Sequence, residues 1–565
     1  MSFKNLNKFL KSKLLCGFHN TTSKTNETNN NNTMPAIISD ILNVKNQDVN
    51  SIKQSYNHIY RRKTKWELSR LSFAMMGIEI VYAILTAFVS PVLLMYGVKR
   101  EHATLVWVIG PLMGLIFSPI LGSLSDRCRF SIGRRRPFII FLATLNLTGL
   151  LLIANSNYIG KLFGDREADI FSPTKSSSSS SSSSSSADVT QQDASGTKIS
   201  HYIWTVIFLI IGAVTVDFSS DTLQNPSRAY VLDVCVVEDH DKGLNSCTIL
   251  AGCGGFIGYI IGAVEWHNTF LNEIIGSYMQ VMFYLVAVLF VICILATITT
   301  FRELPLKKSQ SIESSTTVAS TDKVDSNAPA EPATNTKLQD YLKSIISMPY
   351  SLRILCMTNL FCWMSHVTFC LYFTDFVGQA VFAGNPSAPP DSVEYKSYEE
   401  GIRFGCSALC GYSIACIAYS LVSEKLIKCL GLKSVYIGTI CLNSLCLILM
   451  AAVKSKLVVI ILSAISGIIY CTIVTIPYML IAHYHVKKTF HVDKNGKQLS
   501  TTQVRGLGTD LAIVGACLCV AQLIISFSMG KMMSLFGVTF AVIGTSAFFA
   551  CLAAMTAFHV VYLDL

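Results

Sequence analysis

Apolar residues fall into blocks along the chain, and short polar segments separate one block from the next. A helix of about twenty residues crosses the roughly 30 Å of hydrocarbon in a bilayer, which is about the length of each block. The pattern therefore predicts an all-α membrane protein with twelve spanning helices. Their approximate bounds are 70–97, 103–124, 137–155, 202–224, 247–266, 279–300, 351–374, 405–423, 433–453, 457–483, 506–530 and 536–562.

Three longer polar stretches interrupt this pattern and predict the organisation of the chain. They are an N-terminal tail at 1–65, a serine-rich insertion at about 160–200, and a central loop at 304–346. None has enough apolar surface to fold by itself. The central loop separates six spans at 66–303 from six at 347–565, which predicts two pseudo-symmetric halves with a pathway between them.

Composition supports a membrane protein, because 51% of the residues are hydrophobic and only 14% are charged. The net charge of +10 would suggest a nucleic-acid partner in a soluble protein, but here the basic residues flank the spans. Their distribution predicts a lipid environment, no nucleic-acid partner, and both termini in the cytoplasm. We expect no cleaved signal sequence, and either the plasma membrane or an endolysosomal or vesicular membrane as the location.

Two cytoplasmic loops pair acidic with basic residues at helix ends, one after span two and one after span eight. We interpret them as an inter-helix latch that stabilises one state of a transport cycle; ordinary charge near a cytoplasmic face is the alternative. The latch residues are Gly122, Asp126, Arg127, Gly133, Arg134, Arg135, Arg136, Glu424 and Lys425. The 19 cysteines lie mostly in spans without clustered histidines, so we expect no metal site.

Span four carries the densest group of polar residues in the membrane. At 100° per residue, Asp217, Asp221, Gln224 and Arg228 fall on one stripe of the helix. Ionisable groups in hydrocarbon are costly and usually face a partner or a cavity. The stripe therefore predicts a functional site, with a fixed ion pair that only orders helices as the alternative.

Asp217 is the predicted proton site, and Arg228 is its predicted compensating charge or a donor to substrate. Burial disfavours a charged carboxylate and a guanidinium favours it, so opening and closing a cavity can switch the protonation of Asp217. The other predicted substrate-binding residues are Asp221, Gln224, Glu79, Asp375, Gln522 and Glu265.

Short segments in both halves carry a family resemblance. In the first half they are Gly110–Pro111, Ser125–Cys128, Gly133–Phe138, Ser227–Ala229, Leu232–Cys235, Gly254–Gly255 and Gly258–Tyr259. In the second half they are Tyr372–Phe376, Gly378–Gln379, Gly384–Ser387, Tyr398–Gly401 and Arg505–Gly508. With these segments the chain resembles the sucrose–proton symporters of the major facilitator superfamily and, more closely, the animal solute carrier family 45, whose members include membrane-associated transporter proteins.

The resemblance implies a major facilitator fold and a proton-coupled sugar symporter. The spacing of Asp217 and Arg228 matches the aspartate and arginine linked to proton and sugar coupling in the plant branch. Phe373 stands where that branch has an acid, and Gln379 and Ala380 stand where it has arginine and glutamate. The animal branch is therefore the better guide to substrate.

These observations favour a carrier of sucrose or glucose-type sugars that works by alternating access. We expect a monomer whose partners are a small sugar, the proton and the lipid bilayer. The proton is the coupling ion, and no cofactor is expected. The alternatives are an organelle exporter of protons and sugar that controls lumenal pH, or a non-transporting sugar sensor with a carrier fold. The sequence contains no convincing nucleophile, metal-ligand or nucleotide-binding pattern, so we do not expect an enzyme.

Overall fold

The computed structural model describes residues 54–165, 202–236, 239–266, 269–305, 348–389, 392–486 and 507–562. These residues form helices and connecting segments, and among them there is no β-strand. The helices belong to one unit, Tyr56–Ser309 with Ser326–Leu565. The long helices are α1 (Lys65–Met95), α2 (Arg100–Arg127), α3 (Arg136–Ala154), α4 (Ile203–Val234), α5 (His240–Ala263), α6 (Tyr278–Ile298), α7 (Tyr350–Phe376), α8 (Val393–Leu430), α9 (Leu432–Ala452), α10 (Lys456–Val486), α11 (Leu507–Thr539) and α12 (Thr545–Ala557).

Each of the first eleven predicted spans falls on one of these helices, and the twelfth covers the end of α11, a π-helical turn at Phe540–Gly544 and α12. Within the described part of the chain, eleven helical segments are long and apolar enough to cross a membrane. The remaining helix, α2, has a shorter apolar stretch at Glu101–Phe117. The predicted all-helical membrane fold is confirmed. Most of the predicted N-terminal tail, serine-rich insertion and central loop lie outside the described residues.

Two helices are longer than their apolar blocks. α4 continues past the predicted end at 224 to Val234 and contains Pro226, and α8 begins at Val393 rather than near 405. The added segments carry charged side chains, including Arg228 in α4 and Arg403 in α8. Hydropathy marks the apolar part of a helix, so it misses charged turns that continue the same helix.

The two sets of six helices pack most extensively along three pairs. α2 packs against α11, α5 against α8, and α1 against α7. We call the side where α1 ends and α2 begins the far face, and the side where α1 begins the near face. Near the far face, the Thr374 hydroxyl of α7 donates to the Ala87 carbonyl of α1 at 3.0 Å. There too, a Cβ on Gly530 of α11 would lie 2.7 Å from the Cα of Glu101 in α2.

Close backbone approach also holds α8 against α10 within the second set of helices. A Cβ at Gly467 of α10 would lie 2.0 Å from the carbonyl oxygen of Tyr412 in α8. Real Cβ atoms do not come this close to a backbone atom, so only glycine fits without moving a helix. Small residues allow such contacts between membrane helices, where lipid supplies no hydrophobic drive for association.

We expect Gly467→Ala to destabilise the protein by about 1–3 kcal/mol, because the added methyl group overpacks the contact between α8 and α10. The measurement is the apparent melting temperature in detergent, followed by size-exclusion chromatography. Gly438→Ala is the matched control, because a Cβ at Gly438 of α9 meets no atom within 4 Å. Equal melting temperatures for the two variants would contradict the packing argument.

Candidate functional site

Asp217 is buried where α4 meets both α2 and α11. Its side chain is 3% exposed, and the Gln522 amide of α11 donates to its Oδ2 at 3.4 Å. A Cβ on Gly110 of α2 would lie 2.0 Å from the same oxygen, so only glycine leaves space for the carboxylate there. The structure thus brings Asp217 and Gln522, both predicted as site residues, together from different halves of the chain.

Asp221 lies one turn further along α4 and faces α1. The Tyr82 hydroxyl of α1 donates a hydrogen bond to its Oδ1. Its Oδ2 is buried and has no hydrogen-bond partner among the described residues. Because a buried, unpaired carboxylate oxygen is costly, this atom suits a bound proton or a hydroxyl donor from a ligand.

Arg228 lies near the end of α4 and does not pair with Asp217. Its Nη2 donates to Oε1 of Gln224, one turn earlier, at 3.2 Å. Its charge acts on Glu79 in α1 and on Tyr470 in α10. The polar stripe is therefore divided. Asp217 faces α2 and α11, whereas the charge of Arg228 acts on Glu79 of α1.

Glu79 joins the two halves at a second point. The Tyr470 hydroxyl of α10 donates to Oε1 of Glu79 at 2.9 Å. The Tyr470 ring stacks on His366 of α7, with centroids 5.2 Å apart and planes 19° apart. His366 is buried and lies 3.3 Å from the Tyr412 hydroxyl of α8, so three helices of the second half fix this wall.

Asp375 and Glu265 lie away from the central group, toward the far face. Asp375, at the end of α7, accepts from the Tyr398 hydroxyl at 2.7 Å and from the Gln379 amide at 2.5 Å. Glu265 follows α5 and lies 3.7 Å from Nη2 of Arg403 on α8. The structure therefore separates these two predicted substrate-binding residues from Asp217, Asp221 and Glu79.

The predicted latch after α2 converges on Glu303, which follows α6. Oε2 of Glu303 accepts the backbone N–H groups of Arg134 and Arg135 at 2.6 and 2.8 Å, and Oε1 accepts that of Arg136 at 3.1 Å. Gly133 has φ of +130°, and a Cβ there would lie 2.5 Å from Glu303. Burial raises the pKa of the Glu303 carboxyl above its usual range, although the three backbone donors oppose this.

Asp233 at the end of α4 completes this cluster. It pairs with Arg134 at 2.5 Å and with Arg135 at 3.0 Å. The Arg136 guanidinium donates to the Phe301 carbonyl after α6. We call Arg134, Arg135, Arg136, Asp233 and Glu303 the near-face clamp, because together they join the near-face ends of α3, α4 and α6.

The other predicted latch residues have a different setting. Gly122, Asp126 and Arg127 lie in the last turns of α2, and their side chains are outside the described residues. Glu424 and Lys425 are exposed on α8, and Glu424 pairs with Lys428 of the same helix at 2.7 Å. In this conformation the ion pair of Glu424 is therefore formed within one helix.

Several residues of these clusters were not identified as site residues from the sequence, among them Asp233, Glu303, Tyr82 and Tyr470. Glu303 directly follows Arg302 just after an apolar block, and that position was a signal for it, whereas Asp233 has no basic residue beside it in the chain. Tyr82 and Tyr470 gave no such signal, because a tyrosine in a membrane span is ordinary.

Family models match both halves of the chain. The model described as Major Facilitator Superfamily matches residues 195–488, and the one described as MFS/sugar transport protein matches residues 71–161. The chain belongs to the Major Facilitator Superfamily. The fold class predicted from the sequence is confirmed.

Curated relatives cover most of the chain. The membrane-associated transporter protein of Mus musculus is 29% identical over 84% of this chain and 89% of its own length. The proton-associated sugar transporter A of Rattus norvegicus is 24% identical, over 85% of this chain and 84% of its own. Solute carrier family 45 member 3 of Mus musculus is 27% identical, over 77% and 73%. The resemblance to the animal solute carrier family 45 is confirmed.

Solved structures share the fold at low sequence identity. The nucleoside transporter NupG superposes with a TM-score of 0.53 at 12% identity, over 88% of this chain and 98% of its own. A D-xylose–proton symporter superposes with a TM-score of 0.50 at 14% identity, over 87% and 98%. At these identities the likeness extends to the fold and not to the cargo.

We expect Glu303→Ala to destabilise the protein by about 1–3 kcal/mol, because three backbone donors at the start of α3 lose their acceptor. The apparent melting temperature of the purified protein in detergent is the measurement. Glu424→Ala is the control, because its carboxylate is exposed and pairs only within α8 in the described residues. A melting temperature of Glu303→Ala equal to that of the control would show that the near-face clamp does not depend on Glu303.

Proposed function

We propose that this chain is a proton-coupled sugar symporter that works by alternating access, with sucrose or glucose-type sugars as cargo. The observation that carries the proposal is the buried carboxylate of Asp217 on α4. It faces α11 of the other half, where the Gln522 amide lies 3.4 Å away. The similarity to a proton-associated sugar transporter supports both parts of the proposal, and the fold shared with a D-xylose–proton symporter supports the carrier architecture alone.

The position of Asp217 between the halves supports proton coupling. An enclosed, apolar setting favours a neutral carboxyl group, whereas contact with water favours the carboxylate. When the halves rock apart, α11 carries Gln522 away from α4 and water reaches Asp217. The group then releases its proton on one side of the membrane and takes one up on the other.

Sugar binding is assigned to the polar atoms around Asp217 and Glu79. The Oδ2 of Asp221, which has no partner within the described part of the chain, and the half-buried Glu79 can accept hydroxyl hydrogens. Arg228 can donate to a sugar oxygen, and Gln224 can donate or accept. These groups come from α1 and α4 of the first half, and Tyr470 and Gln522 face them from α10 and α11.

The moving parts are the halves at 66–303 and 347–565. We place both termini and the near face in the cytoplasm, as the basic residues near that face favour. The near-face clamp then keeps α3, α4 and α6 together while the first half rotates. The polar segments at 1–65, about 160–200 and 304–346 take no part in this proposal.

We expect acid-stimulated sugar uptake, measured with labelled sucrose and glucose in cells without their own sugar uptake, at about pH 5.5 and about pH 7.5. Asp217→Asn removes the titrating group and keeps its shape, so its uptake at the lower pH should fall to the wild-type level at the higher pH. Glu394→Gln is the control, because Glu394 is an exposed carboxylate in the first turn of α8.

Other outcomes separate the remaining hypotheses. Uptake that ignores both pH and the Asp217→Asn change would indicate a sugar facilitator and remove Asp217 from the mechanism. Correctly located wild-type protein without uptake would contradict symport. Measurements of organelle pH would then test the exporter hypothesis, and a sugar-dependent signal without flux would support the sensor.

A further inference from the structure

The contact between Glu79 and Tyr470 is placed where a cargo between the halves has to pass. Each residue lies at the middle of its 31-residue helix, Glu79 in α1 and Tyr470 in α10. The 2.9 Å hydrogen bond therefore spans the two halves at mid-membrane depth. In this hydrogen bond a single neutral hydroxyl, that of Tyr470, donates to a carboxylate. The hydroxyl of a ligand can replace it as the donor.

The Tyr470 side is held firmly. Its ring stacks on His366, and the His366 ring stacks in turn on Tyr412, with centroids 6.0 Å apart and planes 24° apart. Trp363 of α7 meets His366 edge to face at 5.8 Å. Because this wall belongs to α7, α8 and α10, the Tyr470 hydroxyl moves with the second half and not with Glu79.

The Glu79 side has acceptor capacity to spare. Among the described residues, Tyr470 is the one hydrogen-bond donor to Glu79, through Oε1, and the Glu79 side chain is half-buried. Arg228 acts on it electrostatically without a hydrogen bond. A carboxylate offers about four acceptor positions, so a sugar hydroxyl can bind it while the positive charge stays nearby.

We propose that Tyr470 competes with the sugar for Glu79 and thereby sets the affinity of the carrier. The Tyr470 hydroxyl occupies the carboxylate and joins α10 to α1. An entering sugar donates a hydroxyl to Glu79 and displaces that of Tyr470, whose ring stays against His366 and presents an aromatic surface to the sugar. The inference rests on the proposed function and adds a specificity-determining residue to it.

The test compares two variants that break the same hydrogen bond from opposite sides, in sugar-uptake kinetics of purified protein in liposomes at one fixed pH. Tyr470→Phe removes the competitor and keeps the ring, so the KM for sugar should fall about two- to tenfold, the worth of one hydrogen bond. Glu79→Gln removes the charged acceptor that the sugar needs, so the KM should rise. A merely structural hydrogen bond would shift both KM values in the same direction.

Tyr484→Phe is the matched control on the same helix. The Tyr484 hydroxyl donates to the Val561 carbonyl at 2.6 Å, so this variant also loses a tyrosine hydrogen bond, but one to a backbone carbonyl near the end of α10. Its KM should equal that of the wild type. Size-exclusion chromatography first confirms that each variant is folded; if Glu79→Gln is not, the sign of the Tyr470→Phe change decides alone.

The results distinguish the competition at Glu79 from the proposed symporter function. Wild-type protein without sugar flux refutes the proposed function and the sugar assignment together. Wild-type flux with an unchanged or raised KM in Tyr470→Phe refutes the inference and leaves the symporter in place. Opposite shifts of the two KM values, with Tyr484→Phe unchanged, support the competition.

Discussion

Carboxylates in an apolar bundle need a partner, and that requirement organises the centre of this protein. Water cannot solvate Asp217, Asp221 or Glu79 as it would at a surface, so each takes its donor from another helix. Two of these donors, Gln522 and Tyr470, belong to the opposite half of the chain. The hydrogen bonds of Asp217 and Glu79 therefore depend on whether the two halves are together or apart.

The same requirement is met differently at the near face. There the acids Asp233 and Glu303 satisfy arginines and backbone N–H groups of one half only. Charge-assisted hydrogen bonds of this kind are strong and geometrically specific. The clamp stiffens one body, whereas the central contacts join two bodies through single hydrogen bonds. Rigid halves with a lightly held centre are what a rocking carrier requires.

The sequence was sufficient for features that depend on local periodicity. Blocks of apolar residues predicted the spans, and the 100° spacing placed Asp217 and Asp221 on one side of α4. It was insufficient where the answer depends on packing between distant segments. Nothing near Tyr470 in the chain indicates that it meets Glu79, and the hydrogen bond from Tyr398 to Asp375 follows from the packing of α7 on α8. The start of α8, from Val393 to about residue 405, was missed because hydropathy does not detect charged helical turns.

That long helix has a mechanical consequence. At 1.5 Å per residue the 38 residues of α8 extend about 57 Å, nearly twice the hydrocarbon thickness of a bilayer. Its first turns, with Glu394 and Lys396 exposed, thus form a rigid arm continuous with the second half. A small rotation of that half sweeps the tip of the arm through a larger arc, so a fluorophore or antibody fragment attached there would amplify the motion of the buried helices.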